Sequence, residues 1–168
     1  MAKSLTALGT KIVVIAPRTS PLRRLSGRPG VVAVFTDVDV AVADFRTALG
    51  EVDTLAGAIL VDDAEMMINS ELDHDFVALA RGSAGDGWGL IVAGNNEALL
   101  GGIGGWQAVV RRNRCGALLA PRTIGDGELV GARLPRGLLG QDTEPGRAHL
   151  QLGDGRFTTV RVPATTAD

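Results

Sequence analysis

The most chemically suggestive stretch of this chain is AILVDDAE at residues 58–65, where four apolar residues run straight into Asp62 and Asp63. A continuous apolar run of that kind reads as a strand buried on both faces, which fixes the position of whatever follows it. Two adjacent carboxylates at such a tip can hold a divalent cation and polarise a water molecule. That is the chemistry of a Walker B element, in which the first acid enters the shell of a magnesium ion and the second acts on the attacking water. The same residues also read as a solvated turn opening the next helix, because Asp is favoured near helix N-termini whatever the function.

The elements that must position this tip can be read from hydrophobic periodicity. Short apolar runs closed by polar, Gly or Pro residues predict strands at 11–16 (KIVVIA), 31–35 (VVAVF), 57–62 (GAILVD), 89–93 (GLIVA) and 116–120 (GALLA). Helical spacing falls between them at 40–49, 64–81 and 97–111, and residues 1–8 read as a short helix feeding the first strand. Strand and helix alternate, which predicts an α/β fold with a mostly parallel sheet and flanking helices. The last forty residues or so change character, and Gly153-Asp154-Gly155 between two extended pieces predicts a C-terminal β-hairpin appended to that sheet. Residues 1–163 are expected to form one domain and 164–168 a frayed tail.

Composition narrows the function classes. The 168 residues carry a formal net charge of −2, so the chain as a whole lacks the electrostatic footprint of a nucleic-acid or membrane-surface binder. The lone Cys115 excludes an internal disulfide framework, and with only His74 and His149 beside it a Cys/His metal cluster is not expected. A reducing cytoplasm fits that usage. No run approaches the roughly 18 apolar residues that span a bilayer, so direct membrane insertion is not expected.

Several further segments fall into a familiar order: APRTSPLRRL at 16–25, VDDAEMM at 61–67, LIVAGNN at 90–96, RRNRCGALLAP at 111–121, GDGELVGARLPR at 125–136 and PGRAHLQLGDG at 145–155. Together they resemble the ATPase domains of FtsK/SpoIIIE-type proteins, nearest to the actinobacterial multi-domain kind that includes the ATPase of type VII secretion systems. The resemblance covers nearly the whole chain and implies a RecA-like P-loop NTPase core whose complete form binds ATP and magnesium. It makes Asp62 the magnesium-shell carboxylate and Asp63 the position that active members commonly fill with Glu. The shorter Asp side chain sets its carboxylate one methylene further back, which implies weakened hydrolysis. Asn95 or Asn96 takes the place of a polar γ-phosphate sensor, although Asn in a strand-to-helix turn needs no such role. Arg114, with Arg111 and Arg112, lies where ring-forming motors present an arginine to a neighbour's nucleotide, or simply on a solvated helix end. Arg18, Arg23 and Arg24, around Ser20-Pro21, could touch a polymer substrate or an adjacent domain, or simply form part of a solvated surface.

A P-loop ending in Gly-Lys-Ser/Thr is not found within these residues. Lys3-Ser4 follows Ala2 rather than Gly, and the glycines at 101–105 have no lysine after them. By the resemblance, the strand that carries such a loop should lie between those at 89–93 and 116–120, and without it the neighbouring edges are open to pairing with another chain or another strand. The expectation is therefore a degenerate or truncated motor ATPase module that does not hydrolyse ATP by itself. It would work with other ATPase domains or subunits on a secreted protein or on DNA, at the cytoplasmic face of the membrane through a larger assembly. The competing expectation is a non-catalytic module that recognises a peptide or partner domain.

Overall fold

The computed structural model describes residues 2–50, 57–82, 87–101, 104–140 and 145–162. They fall into two units, Met1–Gln107 and Ala108–Asp168.

In the first unit, strands β1 (Lys11–Ile15), β2 (Val31–Phe35), β3 (Gly57–Val61) and β4 (Trp88–Val92) form a parallel sheet in the order β2-β1-β3-β4. β1 and β3 lie in the middle, and apart from half-buried Lys11 all their residues are buried, as their unbroken apolar runs require. The register runs from Lys11↔Gly57 to Ile15↔Val61 and from Gly57↔Trp88 to Val61↔Val92 without a slip, so three strands end level at their carboxyl tips. Ile12, Val14, Ala58 and Leu60 pack against Ala2 and Leu5 of helix α1 (Ala2–Ala7) and against Leu22 and Leu25 of a 3-10 helix over Pro21–Leu25.

Helices α2 (Val42–Gly50) and α3 (Asp73–Ala80) are joined by a ladder of rings. Phe45 meets Phe35 at 6.4 Å and Phe76 at 6.0 Å, and Phe76 meets Trp106 edge-to-face at 5.7 Å between centroids. Such pairs each add about 0.5–1.5 kcal/mol beyond the area they bury.

Two helices expected to be continuous are broken. The segment predicted at 64–81 is a 3-10 helix over Ala64–Met67, an extended Ile68 and an Asn69 with φ 60°, followed by α3. Asn is one of the few residues that enters the left-handed region readily, so Asn69 stops the first turn where periodicity alone ran on. The segment predicted at 97–111 is α4 (Asn96–Leu100) and α5 (Gly105–Arg112), separated at the glycine-rich stretch where Gly105 takes φ 67°.

The second unit holds β5 (Cys115–Leu118), β6 (Arg147–Leu152) and β7 (Thr158–Arg161) as an antiparallel sheet in the order β5-β6-β7. The predicted hairpin is present as β6–β7. It is not an appendix of the parallel sheet: it pairs with the strand predicted at 116–120, through Cys115↔Leu152 to Leu118↔His149. The cause is a separate small core. Leu118, Val130 and Leu134 cluster there, a Cβ on Gly116 would come within 2.7 Å of Val130, and buried Gln151 donates to the Val130 carbonyl. The expected tail at 164–168 lies outside the described residues.

Candidate functional site

In an open parallel sheet, ligand-binding crevices form outside the carboxyl ends of the strands, where the strand order reverses. Here the chain leaves β1 for β2 on one side and reappears as β3 on the other, so the reversal lies between β1 and β3. The residues after those two strands meet at that point.

Asp62 follows β3 directly, and its N–H donates to the Ile15 carbonyl of β1 at 2.9 Å, extending the ladder by one rung. Its Oδ2 accepts the Ser20 hydroxyl at 2.5 Å and its Oδ1 accepts the Asp63 N–H at 3.2 Å. Ser20 is only 8% exposed and caps the 3-10 helix after β1, its Oγ accepting the Leu22 N–H at 3.2 Å with Pro21 at the first helical position. Arg23 anchors the same loop: its Nε donates to the Ala16 carbonyl at 2.9 Å, and its Nη2 donates to those of Pro17 at 2.8 Å and Thr36 at 2.7 Å. One guanidinium thus ties the carboxyl ends of β1 and β2 together.

Asp63 adopts the left-handed conformation, φ 47° and ψ 46°, and starts the Ala64–Met67 turn without capping it through its side chain. Its carboxylate faces Arg18 at 3.7 Å, and the same guanidinium lies 3.6 Å from Glu65 and donates to the Met66 sulfur at 3.2 Å. Glu65 reaches across to the loop after β4, where its Oε2 accepts the Asn95 N–H at 3.1 Å. Gly94 makes that reach possible, since a Cβ there would overlap the Glu65 carboxylate.

The Asn95 side chain caps α4, its Oδ1 accepting the N–H groups of Glu97 at 3.0 Å and Ala98 at 3.2 Å. Asn96 is the first residue of that helix and is half-buried. Asp62, Asp63 and Asn95 therefore share one edge of the sheet, as expected from their places after β3 and β4. Arg114 belongs to the second unit, with φ 49° and its stem packed over Gly131, whose missing Cβ would lie 2.5 Å from Arg114 Cγ. Among the described residues no three His, Cys, Asp or Glu side chains converge to hold a metal ion, and no helix is long and apolar enough to cross a membrane.

Ser20, Arg18 and Glu65 complete the site, and sequence reasoning gave none of them this role. Ser20-Pro21 carried a legible helix-start signal, but its partner Asp62 stands 42 residues away.

No protein-family model matches the sequence, and no curated protein does. Solved structures that share its fold include two of EssC. The cytoplasmic domain of EssC superposes with a TM-score of 0.70 at 16% identity, over 96% of this chain and 35% of that one. EssC (ATPases 2 and 3) from Geobacillus thermodenitrificans gives a TM-score of 0.74 at 15% identity, over 96% and 33%. The chain spans about a third of the length of each. The α/β architecture, a parallel sheet flanked by helices, is the one these ATPase structures have.

Proposed function

We propose that this chain is an ATPase-type module of an FtsK/SpoIIIE-like motor, of the type VII secretion kind, that does not hydrolyse ATP by itself and acts through contacts with other ATPase domains. The fold shared with EssC supports the class. One observation supports the loss of catalysis: both acids at the tip of β3 are already engaged by the chain's own side chains, Asp62 by Ser20 and Asp63 by Arg18.

The fit to a magnesium–nucleotide group is poor. Magnesium takes oxygen ligands and keeps several waters around it. Here each oxygen of Asp62 already accepts a hydrogen bond, and a guanidinium stands against Asp63 and Glu65, where a cation would be repelled. The Asn95 amide, expected to sense a terminal phosphate, spends its oxygen on two helix N–H groups. The 168 residues also contain no Gly-x-x-x-x-Gly-Lys-Ser/Thr segment to wrap the phosphates. In this reading the module serves a secretion or translocation assembly at the cytoplasmic face of a membrane as a docking or regulatory part.

Isothermal titration of the chain with ATP and magnesium tests the reading. No heat of binding is expected. Micromolar affinity accompanied by phosphate release would overturn it.

A further inference from the structure

The segment joining β6 to β7 contains an Asp-Gly pair, Asp154-Gly155. Such a pair can react with itself: the backbone nitrogen of the second residue attacks the side-chain carboxyl carbon of the first and closes a five-membered succinimide. Glycine obstructs this least, because no side chain stands beside the attacking nitrogen. A second pair with both residues described is Asp126-Gly127, and the fold treats the two oppositely.

Asp126 is buried and clamped. Its Oδ2 accepts the Arg122 N–H at 2.6 Å and the Thr123 N–H at 3.1 Å, and its Oδ1 accepts the Thr123 hydroxyl at 3.1 Å. Gly127 lies inside a 3-10 helix over Ile124–Val130, and a Cβ there would overlap the Ala132 carbonyl oxygen. Turning this carboxyl group onto the Gly127 nitrogen would break three hydrogen bonds in a place without room. Asp154 is exposed, and its Oδ1 accepts the Arg156 N–H at 2.9 Å, a bond that curls the carboxyl group back over the Gly155 peptide. Among the described residues the Gly155 N–H enters no backbone hydrogen bond. Around both Gly153 and Gly155 the space a Cβ would take is open.

We propose that Asp154 is a site of spontaneous isomerisation to isoaspartate. The Gly155 nitrogen gives up its proton and bonds to Asp154 Cγ, and one carboxyl oxygen leaves as water. A water molecule then opens the ring at the Asp154 backbone carbonyl, breaking its bond to the Gly155 nitrogen, so that the main chain runs on through the side-chain carbonyl. The water lost is regained, and no other reactant is needed. Both reacting atoms belong to adjacent residues, so the step does not depend on what the turn faces.

The product adds a methylene to the main chain beside a tie to the core. The Gly153 N–H donates to Gln151 Oε1, and the fully buried Gln151 donates through Nε2 to the carbonyl of Val130, a core residue of the second unit, at 3.2 Å. Lengthening the turn should strain that tie and loosen the core.

Incubation of the 168-residue chain for weeks at physiological temperature and neutral pH, folded and in parallel in urea, followed by peptide mapping with electron-transfer fragmentation, tests the proposal. Isoaspartate is expected at Asp154 in the folded chain at close to its rate in urea. Asp126 should convert in urea but at least about tenfold more slowly when folded, since it reacts only through opened molecules. Asp154→Asn should convert faster, losing ammonia in place of water, because an ionised carboxylate resists attack. Asp154→Ser, whose hydroxyl can still accept the Arg156 N–H, should show none. The aged wild type should unfold at a lower urea concentration than the fresh protein, and aged Asp154→Ser should not. Protection of Asp154 as strong as that of Asp126 in the folded chain would overturn the site. Conversion with an unchanged urea midpoint, or an equal loss in aged Asp154→Ser, would overturn its link to the core.

Discussion

The Ser20 hydroxyl donates to Asp62 Oδ2 at 2.5 Å, joining the loop after β1 to the tip of β3 across 42 residues of chain. A largely buried hydroxyl on a carboxylate is a charge-assisted bond. Ser20→Ala should destabilise the protein by about 1.5–3 kcal/mol, read as a lower urea midpoint with an unchanged slope. Asp63→Asn is the control, because its ion pair with Arg18 is 28% and 56% exposed on its two sides. It should change stability by less than about 1 kcal/mol. Equal losses in the two variants would show that the Ser20 bond is no stronger than a surface contact.

Arg23 should not tolerate lysine. Its fork spans three carbonyls at the ends of β1 and β2, and a single ammonium cannot reproduce that geometry. Arg23→Lys is expected to cost about 1–3 kcal/mol, with the Ala16 and Thr36 region exchanging amide hydrogens faster. Full retention of the thermal midpoint would refute the anchoring role.

Gly94→Ala should disturb the carboxyl edge without changing any charge. The added methyl would overlap the Glu65 carboxylate and crowd Leu99 at 3.1 Å and the Ala64 nitrogen at 3.3 Å. A loss of about 1–3 kcal/mol is expected from such overpacking. Glu65→Ala in the same background should recover part of it, a non-additivity that a double-mutant cycle measures.

His149 should make the second unit sensitive to mild acid. Its ring is buried and bonded to the Thr159 hydroxyl at 3.0 Å; burial first, and then the Arg147 charge, hold its pKa below the ordinary 6.5. The unfolded chain therefore takes up a proton before the folded one does. The stabilisation from keeping His149 neutral is full above about pH 6.5 and is lost as pH falls from there to the lower folded value, by at most about 1.4 kcal/mol per pH unit. Urea unfolding at a series of pH values should show this slope in the wild type and its reduction in His149→Gln. An identical pH dependence in both would remove His149 as the cause.

The strands were legible because their apolar runs are unbroken. Those at 11–16, 31–35, 57–62 and 89–93 appear within one residue of where periodicity put them. The pairing partner was not legible for the run at 116–120, since an apolar run announces burial and says nothing of which strand lies beside it. Helix ends failed where a single residue outweighed the pattern: Asn69, with φ 60°, stopped one helix and Gly105, with φ 67°, begins the second piece of another. Within the site, sequence spacing placed Asp62 and Asp63 at a strand tip, but what they touch depends on Ser20 and Arg18, brought there by the β1–β3 register. Asn95 was legible as a polar residue after a strand; that its oxygen would be consumed by Glu97 and Ala98 required the geometry of α4.

The ring ladder ends in a built-in optical probe. The chain has two tryptophans and no tyrosine, so its intrinsic emission comes from Trp88 and Trp106 alone. Trp106 is 1% exposed, and its indole N–H donates to the Met67 carbonyl at 3.3 Å, at the end of the turn that follows the two acids. Trp88 stands on the outer strand of the sheet. Replacing either indole with Phe separates the two signals, giving one fluorophore beneath the acidic turn and another at the sheet's open margin, each readable without any added dye.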